Sequence, residues 1–405
     1  MSIFREIPPT AGFPLLLKDI LRALFNTKKA KTFEEDLKRY LNAPYADVTY
    51  SGTAALYFIL KNLKELSPKK TVVVSSFICP LVPLAIQRAG LKVAVCDINK
   101  HNFNFDTEEL KNLCSTGDIL AIIALHLGGI PADLDTINKI AKEIKAFVIE
   151  DCAQSLGAEY KGRKAGTLSD FSFFSLCRGK GLTIYEGGVI VTNKTGLMPA
   201  LGKKINPIIK KGLFSEAIKI FEVFGYYLFY RPELFWFIFR LPQIYWEKRG
   251  QPLKAMIEYF SSDFPTHDVS KFRKRIGDAQ FSRLDKEVEK QRQKALYYIE
   301  NLKNIKGLNL ITESTQDKAS YPYLTLVFDE PSKRKKAAEI LKKTGLGISQ
   351  IYCFAITDYD YLKGITGNKL MPNARSLAQR HLTLSTSTFL KKSELDKVIN
   401  KIKEL

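Results

Sequence analysis

The sequence predicts an α/β fold: a mostly parallel central sheet with helices on both faces, a three-layer sandwich, plus a small C-terminal α/β domain. Three observations predict it. Short apolar runs alternate with helical patterns through the first half of the chain. This spacing produces βαβ units, and a sheet covered on both faces needs near-continuous apolar strands. A second, shorter β-α-β-α pattern closes the chain after a long amphipathic stretch. Finally, 405 residues with 45% hydrophobic content suffice for one large core and one small one.

The elements follow in order. FEEDLKRYL, from residue 33, has helical periodicity. VTYSGTAALYFILKNL reads as a strand, a tight Ser-Gly-Thr turn and an apolar helix. TVVVSSF is a buried strand, PLVPLAIQRAG a helix ending at glycine, and LKVAVCDI a strand. EELKNLC is helical, ILAIIALHL a strand, LDTINKIAKEI a helix, and AFVIEDCAQS a strand with a polar end. After FSFFSLCRGKGLTIYEGGVIVTN the pattern changes. Residues 203–262 read as an aromatic-rich insertion holding both tryptophans, Trp236 and Trp246. One long amphipathic helix is expected from about residue 268. YPYLTLVF, KRKKAAEILKKTG, HLTLSTS and ELDKVINKIKEL then form the small domain. The expected division is 1–265 for the large domain and 266–405 for the connecting helix and small domain.

Charge and cysteine content narrow the class. A formal charge of +20 favours acidic partners without choosing among them. Six cysteines, at 79, 96, 114, 152, 177 and 353, show no CxxC spacing, which suits reduced thiols in a cytoplasmic protein. Four histidines without an HExxH pattern give no reason to expect a catalytic metal. The N-terminus lacks a signal-peptide pattern, and no helix-turn-helix or other nucleic-acid pattern is evident.

In parallel sheets ligands sit at the carboxyl ends of strands, which singles out Ser51–Thr53, Ser75–Cys79, His126 and Asp151–Gln154. Gly52 and Thr53 precede a helix, where backbone N–H groups and a hydroxyl can hold a phosphate. Asp151 ends a buried strand and is either a strand-end cap or the acceptor of a proton from a cationic ring. Ser175 and Lys180 flank a sharp turn, with the lysine between two glycines, so Lys180 is either a surface residue or a lysine held out for chemistry. Pyridoxal phosphate requires this set: a lysine for a Schiff base, an acid for the ring nitrogen, and donors for the phosphate. The loop is not a P-loop, because Gly181 stands where Ser or Thr belongs.

SGTAAL, AGLKVAVCDI, ALHLGGIPADLDTI, FVIEDCAQSLGAEYKGRKAGTLSDFSFFSLCRGKGLTIYEGGVIVTN and GDAQFSRLDKEVEKQRQKA together resemble the DegT/DnrJ/StrS family of sugar aminotransferases, fold-type-I pyridoxal phosphate enzymes. The resemblance covers most of residues 5–200 and, more loosely, 265–405. It implies an aspartate-aminotransferase-like large domain and a homodimer. It implies that Lys180 carries the Schiff base and serves as acid/base, and that Asp151 holds the ring-nitrogen proton. Gln154 would bond near the ring's phenolic oxygen, and Gly52, Thr53 and Ser175 would bind the phosphate. His126 matches a position at the mouth of the site, or is a strand-end histidine satisfied by backbone. Arg178, if it faces inward, would depress the lysine's pKa. The implied reaction moves nitrogen from an amino acid, usually glutamate, to a nucleotide-linked keto sugar for amino-sugar and polysaccharide biosynthesis.

The sequence departs from the family at three places. Cys79 aligns with a ring that stacks on the cofactor, a task Phe77 could take over. Thr266 and Asp268 replace the ends of an Asn-Tyr-Arg motif that reaches the neighbouring subunit. In the insertion, Glu222, Arg231, Glu233, Arg240, Pro232 and Pro242 interrupt any bilayer span. Its aromatics are either an extra packing layer or dimer interface, or, with Lys203-Lys204 and Lys210-Lys211, a peripheral membrane contact through Phe214–Trp246 at the inner face of the membrane. The competing class is a non-catalytic regulatory or membrane-surface protein on the same fold. Retention of Lys180, Asp151, Gln154 and Ser175 favours the enzyme.

Overall fold

A computed structural model describes residues 4–25, 32–115, 117–197, 212–255 and 258–405. Seven strands form the central sheet, in the order β1-β9-β8-β5-β4-β2-β3. They are β1 (Tyr45–Thr49), β2 (Thr71–Ser75), β3 (Lys92–Cys96), β4 (Ile119–Leu125), β5 (Phe147–Asp151), β8 (Phe171–Ser175) and β9 (Gly188–Thr192). A two-stranded ribbon, β6 (Glu159–Tyr160) and β7 (Arg163–Lys164), lies between β5 and β8 in the chain. β3, β2, β4, β5 and β8 are parallel. β9 runs opposite to both of its neighbours, so β1 points the same way as β8. The carboxyl ends of six strands therefore share one edge. Every residue of β4 is buried, the pattern of a strand covered on both faces.

The covering helices begin with α1 (Leu17–Phe25), α2 (Phe33–Leu41) and α3 (Gly52–Leu66), followed by α4 (Leu81–Arg88), α5 (Thr107–Cys114) and α6 (Leu134–Glu143). Their starts obey local chemistry. Ser51 caps α3, Asp106 caps α5 and Asp133 caps α6, each side chain accepting the N–H three residues on. The loops after β1, β2, β4 and β5 thus present Ser51–Thr53, Ser76–Cys79, His126 and Cys152–Gln154 along one edge, as the alternation predicts.

The insertion forms α7 (Leu213–Phe229), α8 (Pro232–Ile238), α9 (Arg240–Lys248) and α10 (Pro252–Ala255). Pro232 takes the first turn of α8, where its missing N–H costs nothing. Among the described residues no helix is long and apolar enough to cross a membrane. Lys203-Lys204 and Lys210-Lys211 lie outside the described residues. Val223, Tyr226, Tyr230 and Phe235 pack inward against Leu15, Ile20, Phe272 and Ile276. Leu213, Phe214 and Phe221 face outward at 81%, 80% and 77% exposure.

The single long helix expected from residue 268 is two: α11 (Lys271–Phe281) and α12 (Leu284–Leu302). The break falls where Arg283 turns back to the Pro14 carbonyl (2.9 Å) and the Asp19 carboxylate (2.5 Å). The small domain follows, with α13 (Pro331–Lys342), α14 (Lys363–Thr366), α15 (Pro372–Arg380) and α16 (Lys392–Lys403). Its sheet is antiparallel, in the order β10 (Leu308–Ile311), β11 (Tyr323–Phe328), β13 (His381–Ser385), β12 (Ile348–Ser349).

Two segments cross the cut expected near residue 265. Ile7 is buried in the small-domain core, and its N–H donates to the Gly345 carbonyl (2.8 Å). Conversely Tyr352, Ile356, Tyr359 and Met371 join the large-domain core.

Arg273 of α11 is fully buried and binds Glu216 of α7 through Nε (2.9 Å) and Nη2. Removing one partner of such a pair strands the other's charge. Arg273→Ala is expected to lower unfolding stability by about 3–5 kcal/mol in chemical denaturation. Burial alone would raise the Glu216 pKa, but Arg273 overcomes it and holds the carboxyl below 4.5. Its contribution is therefore present above that pH and is lost as pH falls below it, so the wild-type advantage should shrink in acid.

Candidate active site

The site is built around the turn that follows β8. The Lys180 N–H donates to the Cys177 carbonyl (3.1 Å), and Gly179 between them has φ +77°, which favours glycine. The strand resumes as Leu176 N–H donates to the Gly187 carbonyl (2.8 Å) and Arg178 N–H to that of Tyr185 (2.7 Å).

A strap from the N-terminus, Thr10–Phe13, holds this turn from above. Thr10 Oγ1 donates to the Gly179 carbonyl (2.6 Å), and Phe13 N–H donates to the Gly181 carbonyl (2.9 Å). The strap is held in turn by α7 and the residue that caps it. Tyr230 Oη accepts the Gly12 N–H (3.1 Å) and donates to the Thr10 carbonyl (3.1 Å). Tyr226 Oη donates to the Phe13 carbonyl (3.0 Å). A Cβ on Gly12 would lie 2.5 Å from Tyr230 Oη and 2.9 Å from Gly179 Cα, so glycine is required there by approach.

Asp151, at the end of β5, is 3% exposed, and its Oδ1 accepts the Ala153 N–H (3.0 Å). Burial pushes its carboxyl up to about 6, against the Ala153 N–H and the nearby Lys180 and His126. Lys180 and Asp151 thus share one electrostatic neighbourhood, which also holds Cys79. Gln154 Oε1 accepts from the Gly128 N–H (3.0 Å) and from the Tyr323 hydroxyl. With its carbonyl engaged twice, Gln154 has its NH2 to offer a ligand.

At the other end Ser51 Oγ accepts the Ala54 N–H (3.1 Å). The Gly52 and Thr53 N–H groups belong to the first turn of α3, which has no intrahelical acceptors for them. A Cβ on Gly52 would lie 3.3 Å from both Ser175 Cβ and the Phe174 carbonyl oxygen, so the helix start and the end of β8 meet there. These residues fit pyridoxal phosphate. A buried carboxylate with a high proton affinity is neutralised by a cationic ring nitrogen, and a glycine-lined helix start beside a serine hydroxyl suits its phosphate.

Three expected residues are not placed as expected. His126 is fully buried: Nδ1 accepts the Ala132 N–H (2.9 Å), leaving Nε2 to donate to Glu150 (3.1 Å). Glu150 also accepts the N–H groups of Gly166, Leu168 and Ser169. His126 is therefore a satisfied strand-end histidine, not a residue at the mouth. His126, Glu150 and Cys152 cluster closely enough to ligate a metal, but both imidazole nitrogens are already hydrogen-bonded.

Arg178 does not face inward. It is exposed and lies over the Tyr185 ring (5.6 Å). Phe77 is 1% exposed in the core, among Phe103, Tyr352 and His381. The ring sharing the surroundings of Cys79 and Asp151 is Tyr352, whose hydroxyl is pushed well up by burial, then by Cys79, Tyr323 and Asp151.

Sequence reasoning missed Thr10, Tyr230, Tyr323 and Tyr352, all remote in the chain from the residues they meet. It also missed His267, between Thr266 and Asp268. That ring packs on Tyr50 (4.1 Å), just before the Ser51 turn, and bonds Ser215 (2.8 Å). The only available signals were the unexplained density of tyrosine and the N-terminal PPTAGF.

A family model described as the DegT/DnrJ/EryC1/StrS aminotransferase family matches residues 16–214 and 269–403. The unmatched stretch between them, 215–268, holds α7 from its third residue onward and α8–α10. The chain is 26% identical over 398 residues to the uncharacterized protein MJ1066 of Methanocaldococcus jannaschii, covering 96% of this chain and 93% of that one. It is 33% identical over 210 residues to UDP-4-amino-4,6-dideoxy-N-acetyl-beta-L-altrosamine transaminase of Campylobacter jejuni, covering 50% of this chain and 54% of that one. That match spans about half the length of the Campylobacter relative. Among solved structures, Helicobacter pylori PseC, an aminotransferase involved in the biosynthesis of pseudoaminic acid, shares the fold. It has a TM-score of 0.73 over 99% of both chains at 18% identity.

The Asp151 pKa yields a sign that can be measured. A carboxyl raised from 3.8 to about 6 favours the folded state below pH 3.8, and that contribution is lost as pH rises through 6. At about 1.4 kcal/mol per pKa unit the loss is about 3 kcal/mol. In cofactor-free protein, Asp151→Asn should therefore gain about 3 kcal/mol over wild type between pH 4 and 6.5, read from denaturant unfolding. A constant difference across that range would show that Asp151 is not held in a desolvated site.

Proposed function

The chain belongs to the DegT/DnrJ/EryC1/StrS aminotransferase family, a family of pyridoxal phosphate-dependent sugar aminotransferases, and from that premise we propose that it carries nitrogen from glutamate to a keto sugar linked to a nucleoside diphosphate. The observation that carries the proposal is that the half-buried Lys180 acts on the buried Asp151, at the sheet edge where α3 begins.

When bound, pyridoxal phosphate supplies an electron sink and a carbonyl that can accept and return an amino group. Lys180 would hold it through Nζ, and its amine would take and return a proton. The clamped turn fixes the backbone from which Lys180 Nζ reaches, which favours proton transfer by position. Asp151 would hold the proton of the ring nitrogen, Gln154 would donate from its NH2, and the Gly52 and Thr53 N–H groups with the Ser175 hydroxyl would bind the phosphate. Support for a nucleotide-linked sugar comes from the Campylobacter relative, whose name specifies a UDP-sugar, and from the +20 charge.

The same reading takes 1–265 as the cofactor-binding domain and 266–405 as the connecting helices and small domain. It takes the active form as a cytoplasmic homodimer that rests on the inner face of the membrane. The outward Leu213, Phe214 and Phe221 of α7 support such contact.

Two measurements test this reading. Purified protein with glutamate and a panel of nucleotide-linked keto sugars should yield an amino sugar by mass spectrometry, and absence of product from every sugar would defeat it. Lys180→Ala should lose both turnover and the near-visible absorbance of the cofactor-loaded protein. For the membrane contact, Phe214→Glu with Phe221→Glu should abolish flotation with anionic vesicles, and unchanged flotation would remove it.

A further inference from the structure

A second cleft, of about 810 Å³, opens between the N-terminal segment, α8–α9 and α13. None of the site residues described above lines it. Its charged lining is unbalanced. Arg5, Arg240, Lys335, Lys342, Lys343 and Lys397 face it, against Glu6 and Glu339 alone.

Most of these cations are not neutralised locally. Arg5 pairs with Glu394 (2.8 Å), but Arg240 reaches Glu247 only at 3.8 Å. Glu6 offers little compensation: burial pushes its carboxyl up to about 7 despite Arg240. Lys342 is half-buried, and its pKa is lowered by burial first and then by Arg240. Trp236 forms an apolar wall of the cleft, with Phe4 at its edge (5.1 Å).

Cations gathered in a partly desolvated hollow raise the local potential and favour a multivalent anion whose oxygens can bridge several of them. The four lysines supply point charges, and Arg240 supplies a planar fork suited to phosphate oxygens. We propose that this cleft is a binding site for a diphosphate group, separate from the site at Lys180. It stands on its own geometry and holds whether or not the transaminase reading does. A soluble nucleotide and a membrane lipid both carry this chemistry. The second source is on the page because α8 and α9, which bear Trp236 and Arg240, also expose Leu234, Phe237 and Leu241.

The protein supplies its own reporter, because this chain has two tryptophans, Trp236 and Trp246. Trp246→Phe leaves Trp236 as the sole emitter. Inorganic pyrophosphate is expected to change that emission saturably, with binding weakened by added salt. Lys342→Ala should weaken binding by about tenfold or more. Lys335→Glu, at an exposed position that leaves the core untouched, should do the same. Competition by UDP would identify a soluble nucleotide as the source. A blue shift with phosphatidylcholine vesicles that carry a diphosphate-bearing isoprenoid lipid, but not with phosphatidylcholine alone, lost in both variants, would identify a lipid headgroup. No saturable change at millimolar pyrophosphate, or a change that survives both variants, overturns the proposal.

Discussion

The geometry of the candidate site depends on one clamp. Lys180 sits on a turn whose two glycine carbonyls, at 179 and 181, accept hydrogen bonds from the strap Thr10–Phe13. The strap cannot hold the turn unless something holds the strap, and Tyr226 and Tyr230 do so through their hydroxyls. A flexible lysine in permissive backbone would otherwise sample many positions. Five hydrogen bonds from the strap and two buried tyrosines restrict the backbone and leave the side chain free. That arrangement suits a residue that must bind, release and move a proton.

The clamp also explains what the insertion contributes. The inward aromatics of α7 close a core against α1 and α11, and Arg273 anchors α11 to α7 through Glu216. The insertion is thus structural support for the lysine turn on one side and an exposed apolar surface on the other. Helices α8 and α9 continue from it and form one wall of the basic cleft.

Much of the fold was legible because its signals are local. Apolar run length, helical periodicity and glycine stops placed the parallel strands and their helices, so four strand ends could be singled out in advance. The same locality produced the errors. Periodicity continues through Ser282–Arg283, so one helix was expected where Arg283, drawn to Pro14 and Asp19, divides two. His126 and Phe77 had the right residue type at the right strand ends. Whether each faces cleft or core depends on neighbours such as Glu150 and Tyr352, which local pattern does not specify.

The sequence by itself determined the identity of the chemistry: a lysine between glycines, an acid ending a buried strand, and a serine beside a helix start. These are properties of residue type and order, and they survive without coordinates. The tertiary structure alone decided how the lysine turn is held, where Phe77 and Tyr352 pack, and that lysines of the small domain meet Arg240 of the insertion. Some of these contacts join segments more than two hundred residues apart. They form because burying apolar faces brings those segments together, and no local preference in the chain records which distant partner will arrive.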